Sequence, residues 1–73
     1  MPSRMDDVRE IVGRNLRRLR NAKGWSQEEL AFRAEVDRSY VSLLETANYS
    51  ASVTMIAKLA KALGVEPADL LRP

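Results

Sequence analysis

Residues 25–46 have the sequence WSQEELAFRAEVDRSYVSLLET, which contains two helix starts of the same design. Ser26 precedes Glu29 by three positions, so its hydroxyl can accept a hydrogen bond from the Glu29 N–H while the Glu29 carboxylate reaches back to Ser26. Asp37 can cap a second helix, because its carboxylate accepts from the free N–H groups of a first turn. The stretch therefore predicts two short helices in succession.

Apolar residues around the two caps define the extent of these helices. Each cap is bracketed by a hydrophobic staple, formed by Trp25 with Leu30 and by Val36 with Val41. We expect the helices to cover residues 27 to about 34 and 38 to about 46, with a tight connection at Glu35-Val36. Two short helices joined by so tight a turn cross steeply rather than lying antiparallel.

The rest of the chain predicts three further helices around this pair. An apolar stripe at helical spacing runs from residue 6 or 7 to about residue 23, and Gly24 can end that helix in the left-handed conformation. A fourth helix follows Ser52 and ends at Gly64. Pro67 opens a short fifth helix, because the first position of a helix does not need an N–H donor.

Length and composition indicate one compact all-α domain of five helices over residues 1–73. A second domain would leave neither half enough apolar area for a core. The chain is 45% hydrophobic and only 5% aromatic, so its core is built mainly from Leu, Ile, Val and Ala, which favours packed helices. A core of this size is marginally stable, and self-association is one way to strengthen it.

The sequence lacks both cysteine and histidine, which narrows its chemistry. No disulfide and no metal site of the usual ligand types is expected, and the usual general base, thiolate nucleophile and Ser-His pair are missing. The three glycines, at 13, 24 and 64, lie too far apart to form a phosphate-binding loop. We therefore expect a protein that is not an enzyme and that needs no metal or cofactor.

Two further features bear on location and partners. No apolar run approaches the ~20 residues that cross a bilayer, and residues 1–7 lack the apolar stretch of a signal peptide, so we expect a cytoplasmic protein without membrane contact. The net charge is only +2, but five basic residues and no acid fall between Arg14 and Lys23. This cluster is typical either of a surface that binds a polyanion or of a solvated helix face.

Four segments resemble the lambda-repressor/Cro-like (xenobiotic-response-element) family of helix-turn-helix regulators. They are Arg17-Arg-Leu-Arg20, Lys23-Gly-Trp-Ser-Gln-Glu-Glu-Leu-Ala31, Asp37-Arg-Ser-Tyr-Val-Ser-Leu-Leu-Glu45 and Ile56-Ala-Lys-Leu-Ala-Lys-Ala-Leu-Gly-Val65. The resemblance implies a helix-turn-helix at about 27–46, in the second and third helices, and a sequence-specific transcriptional regulator of double-stranded DNA. The opening of the third helix is also similar to the controller proteins of restriction–modification systems, a subgroup of this family. Activation and repression both remain open.

The resemblance further implies that the third helix reads bases in the major groove. Arg38 lies in its first turn, where its guanidinium can grip guanine O6 and N7, bind a phosphate or pair with a neighbouring acid. Ser39 can bond a base edge or a phosphate, and Leu43 either contacts a thymine methyl or packs. Ser42 lies on the same side of the helix. These four residues are the predicted base-reading set.

A second set is predicted to contact the DNA backbone. Gln27 and the N-terminus of the second helix resemble the family's phosphate clamp, in which exposed N–H groups face the phosphates. Tyr40 can place its hydroxyl on a phosphate or pack beside the second helix. Arg17 and Arg18 either bind phosphates or belong to a solvated face, and Thr46 completes the set at the end of the third helix.

Arg20 and Glu45 match positions that form a structural ion pair in related domains. A carboxylate on the inward edge of the third helix needs such a partner if it is buried. The resemblance therefore implies that this pair sets the angle of the third helix without contacting a base.

The sequence departs from the family pattern in the turn and after the third helix. Glu35 replaces the usual Gly of the turn, and it must accept a positive φ or shift the turn, at a cost of about 1 kcal/mol. Thr46-Ala47 replaces a basic residue and Gly, and the loop 48–50 has no Lys or Arg. Fewer cations near the DNA backbone predict weaker binding with a shallower salt dependence.

The expected partners include a second copy of the chain. One recognition helix reads about four base pairs, which favours a homodimer on a two-fold symmetric operator. Val65, Leu70 and Leu71 are the predicted interface, with one of the two leucines expected to cap the core instead. Glu28 lies where some relatives touch RNA polymerase, or it is simply solvated. The alternative function is a protein-interaction module of the same fold with weak or lost DNA binding.

Overall fold

The computed structural model describes the backbone of residues 4–73 and the side chains from Val8 onward. Along the chain follow four α-helices and one 3-10 helix: α1 Arg4–Ala22, α2 Gln27–Ala34, α3 Arg38–Glu45, α4 Val53–Leu63 and the 3-10 turn Pro67–Leu70. No strand occurs in this range, so the all-α prediction is confirmed. None of its helices is long and apolar enough to cross a membrane. Residues 1–3 lie outside the described residues. They are part of the segment 1–7, which is expected from its sequence to contain no signal peptide.

The helix count and the start of α1 differ from the expectation. The fifth element is a single 3-10 turn rather than an α-helix. Its backbone bonds run from Asp69 N to Glu66 O at 2.9 Å and from Leu71 N to Ala68 O at 3.0 Å, which is the i to i+3 pattern. The prediction of five helices is therefore not confirmed. α1 begins at Arg4, slightly before the predicted start at residue 6 or 7.

The N-caps expected from the sequence are formed, with one change. Ser26 Oγ accepts from Glu29 N at 3.0 Å, and Ser52 Oγ accepts from Met55 N at 3.1 Å. The Glu29 carboxylate does not complete a capping box but accepts a hydrogen bond from Arg33 Nε at 2.7 Å, one turn along α2. The predicted bond between the Glu29 carboxylate and Ser26 is thus replaced by an ion pair between Glu29 and Arg33, four residues apart on α2.

Glu35 makes the turn between α2 and α3 by taking the left-handed conformation, with φ 58° and ψ 45°. Its N–H donates to Phe32 O at 3.2 Å, and the next N–H, of Val36, donates to Ala31 O at 3.0 Å. These two bonds close the last turn of α2 in the manner of a Schellman motif. Of the two possibilities left by the sequence, positive φ at Glu35 is the one adopted.

The hydrophobic core lies where the four α-helices and the 3-10 turn meet. Its largest fully buried side chains are Leu16, Leu30, Val41, Leu44, Leu59, Leu63 and Leu70. Gly13 lets the backbones of α1 and α3 approach directly, since a Cβ atom built on it would lie 2.5 Å from Leu44 O. The C-terminal half of α3 is therefore held closely against α1.

A buried polar side chain attaches the C-terminal segment to α1. The side-chain amide of Asn15 donates to Leu70 O at 3.1 Å and to Arg72 O at 2.7 Å. One carbonyl belongs to the last residue of the 3-10 turn and the other lies two residues beyond it, where no further helix supplies N–H partners. Asn15 thereby fixes the 3-10 turn on the core and places Leu70 inside it.

Candidate nucleic-acid interface

α3 has one buried face and one face that is small, polar and open. Val41 and Leu44 are completely or almost completely buried in the core. The predicted base-reading residues lie on the open side: Arg38, Ser39 and Leu43 are exposed, and Ser42 is half-buried. The structure thus brings this set together on one surface, and its small side chains leave the helix free to approach another molecule closely.

The Arg38 side chain lies beside an acid of α2. Its Nε atom is 3.7 Å from Oε2 of Glu28, and both side chains are largely exposed to solvent. Exposed pairs of this kind contribute little, about 0–1 kcal/mol. The guanidinium is therefore free to exchange Glu28 for a stronger acceptor at small cost.

Asp37 and Ser39 form a closed pair at the start of α3. Asp37 Oδ1 accepts from Ser39 N at 2.8 Å and from Ser39 Oγ at 2.6 Å. These bonds, the hydroxyl bond first, lower the pKa of the exposed Asp37 carboxyl below its ordinary value. Asp37 is thus the expected cap, and the Ser39 oxygen keeps its lone pairs to accept a bond from a partner.

Arg20 and Glu45 are joined by two hydrogen bonds that link α1 to α3. Arg20 Nε lies 2.6 Å from Glu45 Oε2, and Nη2 lies 2.9 Å from Oε1. Their side chains are only 11% and 4% exposed. The hydrogen bonds that Arg20 donates to Glu45 raise the pKa of Arg20 above its ordinary value. A third bond, from Arg20 Nη1 to Trp25 O at 2.7 Å, ties the loop before α2 into the same group.

Gln27 belongs to this group as well, since its Nε2 donates to Glu45 Oε1 at 3.1 Å. The side chain of the expected phosphate clamp is thus oriented by the same carboxylate that holds Arg20. The clamp, at the N-terminus of α2, is therefore fixed relative to the C-terminal end of α3.

The other expected backbone contacts differ in their surroundings. Tyr40 is half-buried against the core and meets Tyr49 edge to face, with ring centroids 5.5 Å apart. The Thr46 hydroxyl donates to Ser42 O at 3.0 Å and accepts from Asn48 Nδ2 at 2.9 Å, so it serves the end of α3. Arg17 and Arg18 are exposed on α1, and Arg18 Nη2 donates to Asn15 Oδ1 at 3.2 Å.

The three residues of the expected dimer interface differ in how far they are exposed to solvent. Leu70 is 0% exposed, so its side chain belongs to the core of one chain and is unavailable to a second copy. Of the two leucines, Leu70 is thus the one that caps the core, as expected for one of them, because Asn15 anchors the 3-10 turn. Leu70 is therefore removed from the predicted interface. Leu71 is 49% exposed, and Val65 is half-buried against the core.

Sequence reasoning missed two residues that shape this surface and, for a third, noted the replaced Gly without predicting its backbone conformation. Gly13 allows the contact of α1 with α3, and Asn15 anchors the C-terminal segment. Ala47 adopts a positive φ of 61° after α3, where the family often has Gly. A signal existed for Asn15, because it interrupts the apolar stripe of α1 at a position of helical spacing with Val12 and Leu19.

Comparison with known proteins settles the family. The profile of the helix-turn-helix family matches residues 16–70, which contain α2, α3 and α4 entirely. This chain belongs to the helix-turn-helix family. The matched stretch includes α2 and α3, the two helices that the sequence predicts to form the motif.

Relatives of this helix-turn-helix protein are transcription regulators by name, not enzymes. A hypothetical transcription factor of Neisseria meningitidis is 45% identical over 67 residues, covering 92% of this chain and 63% of that protein. The control protein C.BamHI of Bacillus amyloliquefaciens is 40% identical over 67 residues, covering 90% of this chain and 83% of the relative. This chain thus spans less than two thirds of the Neisseria relative.

The solved structures agree with the sequence relatives. The restriction–modification controller protein C.AhdI of Aeromonas hydrophila superposes with a TM-score of 0.82 at 48% identity, over 85% of this chain and 94% of that one. The resemblance to controller proteins is confirmed by both comparisons. In both comparisons, then, the relatives of this helix-turn-helix chain are named as transcription factors or controller proteins.

Proposed function

We propose that this helix-turn-helix protein binds a two-fold symmetric operator as a homodimer and reads it by placing α3 in the major groove. The observation that carries the proposal is the pair of faces on α3. One face is sealed against the core by Val41 and Leu44, and the other presents Arg38 and small polar side chains. A helix fits the major groove, which is about 12 Å wide, only when its outward side chains allow close approach.

Base readout in this proposal centres on Arg38. Its exposed guanidinium is held only weakly by Glu28, so it can leave Glu28 and donate two hydrogen bonds to guanine O6 and N7. The Ser39 hydroxyl donates its proton to Asp37 Oδ1, so Ser39 accepts a hydrogen bond at a neighbouring base edge, and Ser42 lies beside it. Leu43, on the same surface, discriminates through the methyl group of thymine.

Contacts to phosphates fix the register of the helix in the groove. Gln27 and the open N-terminus of α2 face one phosphate, and their position is set by the Arg20–Glu45 pair. Arg17 and Arg18 supply positive charge from α1. Tyr40 and Thr46 are assigned as further phosphate contacts through their hydroxyl groups. The Thr46 hydroxyl donates to Ser42 O in the free chain, so it must turn away from that carbonyl to donate to a phosphate.

A second copy is proposed to pack on an apolar cleft beside the C-terminus. The cleft has a volume of about 270 Å³. Its apolar lining comes from Val8, Val12, Tyr49, Ala51, Ile56 and Leu71, and Arg9 and Ser50 complete it. Val8, Tyr49 and Leu71 are each about half exposed, which is more apolar surface than one chain needs to cover this spot. Leu71 therefore replaces Leu70 as the central residue of the proposed interface. Val65 lines a different cleft, together with Leu19 and Arg72, and its place in the interface stays a prediction.

The names of the relatives support a proposal about the biological role of this chain. Because control proteins are among them, we assign this chain as a controller-type regulator in the cytoplasm. Residues 1–73 are taken as one domain. Contact of the exposed Glu28 with RNA polymerase stays a prediction.

Selection from random duplexes tests the proposal against its alternative. We expect the protein to bind DNA at low salt and to enrich sites made of two inverted halves, centred about one helical turn apart. Sedimentation at micromolar concentration is expected to show a dimer. If no duplex in the library binds at low salt, the chain is instead a protein-interaction module of the same fold.

A further inference from the structure

A polar cleft lies between α1 and the C-terminal end of α3, outside the base-reading surface. It has a volume of about 410 Å³ and is lined by Arg14, Arg17, Arg18 and Asn21 on one side and by Thr46 and Ala47 on the other. The four α1 residues follow each other at spacings of three, one and three. They therefore form one face of the helix, a stripe of three guanidinium groups ending in an amide.

The cleft has a surplus of positive charge. Two acidic residues also line it, Glu10 and Glu45. Glu45 is already bonded twice by Arg20, so its charge is compensated within the protein. Glu10 stands one turn before Arg14 and offsets at most one of the three cations. The remaining charge favours an anionic ligand.

The position of the cleft joins it to the proposed phosphate clamp. Gln27 and the cleft share Glu45, since Gln27 Nε2 donates to its carboxylate and Glu45 is also one of the residues that line the cleft. From Arg14 to Asn21, α1 rises about 10 Å, given a helical rise of 1.5 Å per residue. One DNA strand carries a phosphate about every 3.4 Å along the helix axis, so this face is long enough to meet more than one.

We propose that the cleft is a second phosphodiester-binding site, in which Arg14, Arg17 and Asn21 hold the DNA strand that continues past Gln27. This assignment rests on the proposed DNA-binding function. It also supplies the cations that the loop 48–50 lacks, because guanidinium groups of α1 lie beside Thr46 and Ala47, where that loop begins. Arg14 and Asn21 thereby become part of the interface.

Salt titrations of DNA affinity test the cleft. Arg14→Ala is expected to reduce the slope of log affinity against log salt by about 0.9, the value for one phosphate contact on duplex DNA. Between 50 and 200 mM salt the variant then loses about three- to fourfold less affinity than the unmodified protein. Lys61→Ala, which removes one exposed charge from α4, is the matched control and is expected to keep the original slope.

Two further measurements distinguish a local contact in the cleft from general electrostatic attraction to DNA. Asn21→Ala removes no charge, so it is expected to weaken binding at every salt concentration while leaving the slope unchanged. On a duplex trimmed of the phosphates flanking the half-sites, the slopes of the unmodified protein and Arg14→Ala should coincide. Equal slopes for Arg14→Ala and Lys61→Ala on the long duplex would overturn the second site. Absence of DNA binding by the unmodified protein would instead refute the proposed function itself.

Discussion

The carbonyl oxygen of Leu44 occupies the space that a side chain on Gly13 would need. A Cβ atom at Gly13 would lie 2.5 Å from Leu44 O and 3.0 Å from Glu45 O, and both oxygens belong to the backbone of α3. Backbone atoms cannot rotate away as the tip of a flexible side chain can. Gly13 therefore sets how closely α1 holds the reading helix, next to the Arg20–Glu45 bonds.

We expect Gly13→Ala to destabilise the protein, although alanine is the better helix former. Alanine gains about 0.8–1 kcal/mol of helix propensity over glycine. Forcing a methyl group into a filled space costs about 1–3 kcal/mol, so the net free energy of unfolding should fall by up to about 2 kcal/mol. Urea denaturation measures this, with the exposed Lys58→Ala as control. A variant more stable than the parent would show that the two helices separate without cost.

Glu45→Ala should lower the free energy of unfolding by about 3 kcal/mol, because it leaves the nearly buried Arg20 without its carboxylate. It also removes the acceptor that orients Gln27. The midpoint of urea unfolding reports the loss. Replacing Arg20 and Glu45 together by apolar residues of similar volume should recover part of it, since no uncompensated charge then remains. An unchanged midpoint for the single variant would contradict a stabilising role for the pair.

The sequence predicted well the features that depend on residues close to each other along the chain. The caps at Ser26 and Asp37 and the turn at Glu35 involve residues within a few positions of each other, so pattern and spacing suffice. Gly13 was not recognised because its partner is a carbonyl of another helix. Likewise, which leucine near the C-terminus is buried depends on Asn15, a residue of α1. Contacts between distant segments decide these features, and no local pattern records them.

Glu35→Gly should stabilise the turn of the motif by up to about 1 kcal/mol, because glycine adopts the left-handed conformation without the penalty of a Cβ atom. Glu35 has φ 58°, and its exposed side chain makes no contribution to the core. Thermal unfolding of the two proteins gives the difference. Glu35→Val serves as the opposite control and should be less stable than the parent. A loss of stability in Glu35→Gly would indicate that the Glu35 side chain stabilises the turn.

Arg38→Ala should reduce affinity for the selected operator by about 1–3 kcal/mol and relax the base preference at one position in each half-site. The reason is that the exposed Arg38 guanidinium has only a weak partner, Glu28, and is proposed to grip one guanine. Arg17→Ala, assigned to the phosphates, should weaken all sequences about equally. Sites selected by the two variants show the contrast. If Arg38→Ala kept the full base preference, Arg38 would be a backbone contact only.

Leu71→Glu should convert the proposed dimer into a monomer while leaving the fold intact. Leu71 borders the apolar cleft with half of its side chain exposed, so a carboxylate there meets solvent in one chain but would be buried between two. Phe32→Glu is the matched control, because Phe32 is 80% exposed on α2 and does not line that cleft. Sedimentation at micromolar concentration should give a monomer of Leu71→Glu and a dimer of Phe32→Glu. The monomer should also lose the preference for a full palindrome over a single half-site, since only a dimer joins two recognition helices. A Leu71→Glu protein that still sediments as a dimer would place the interface on another surface.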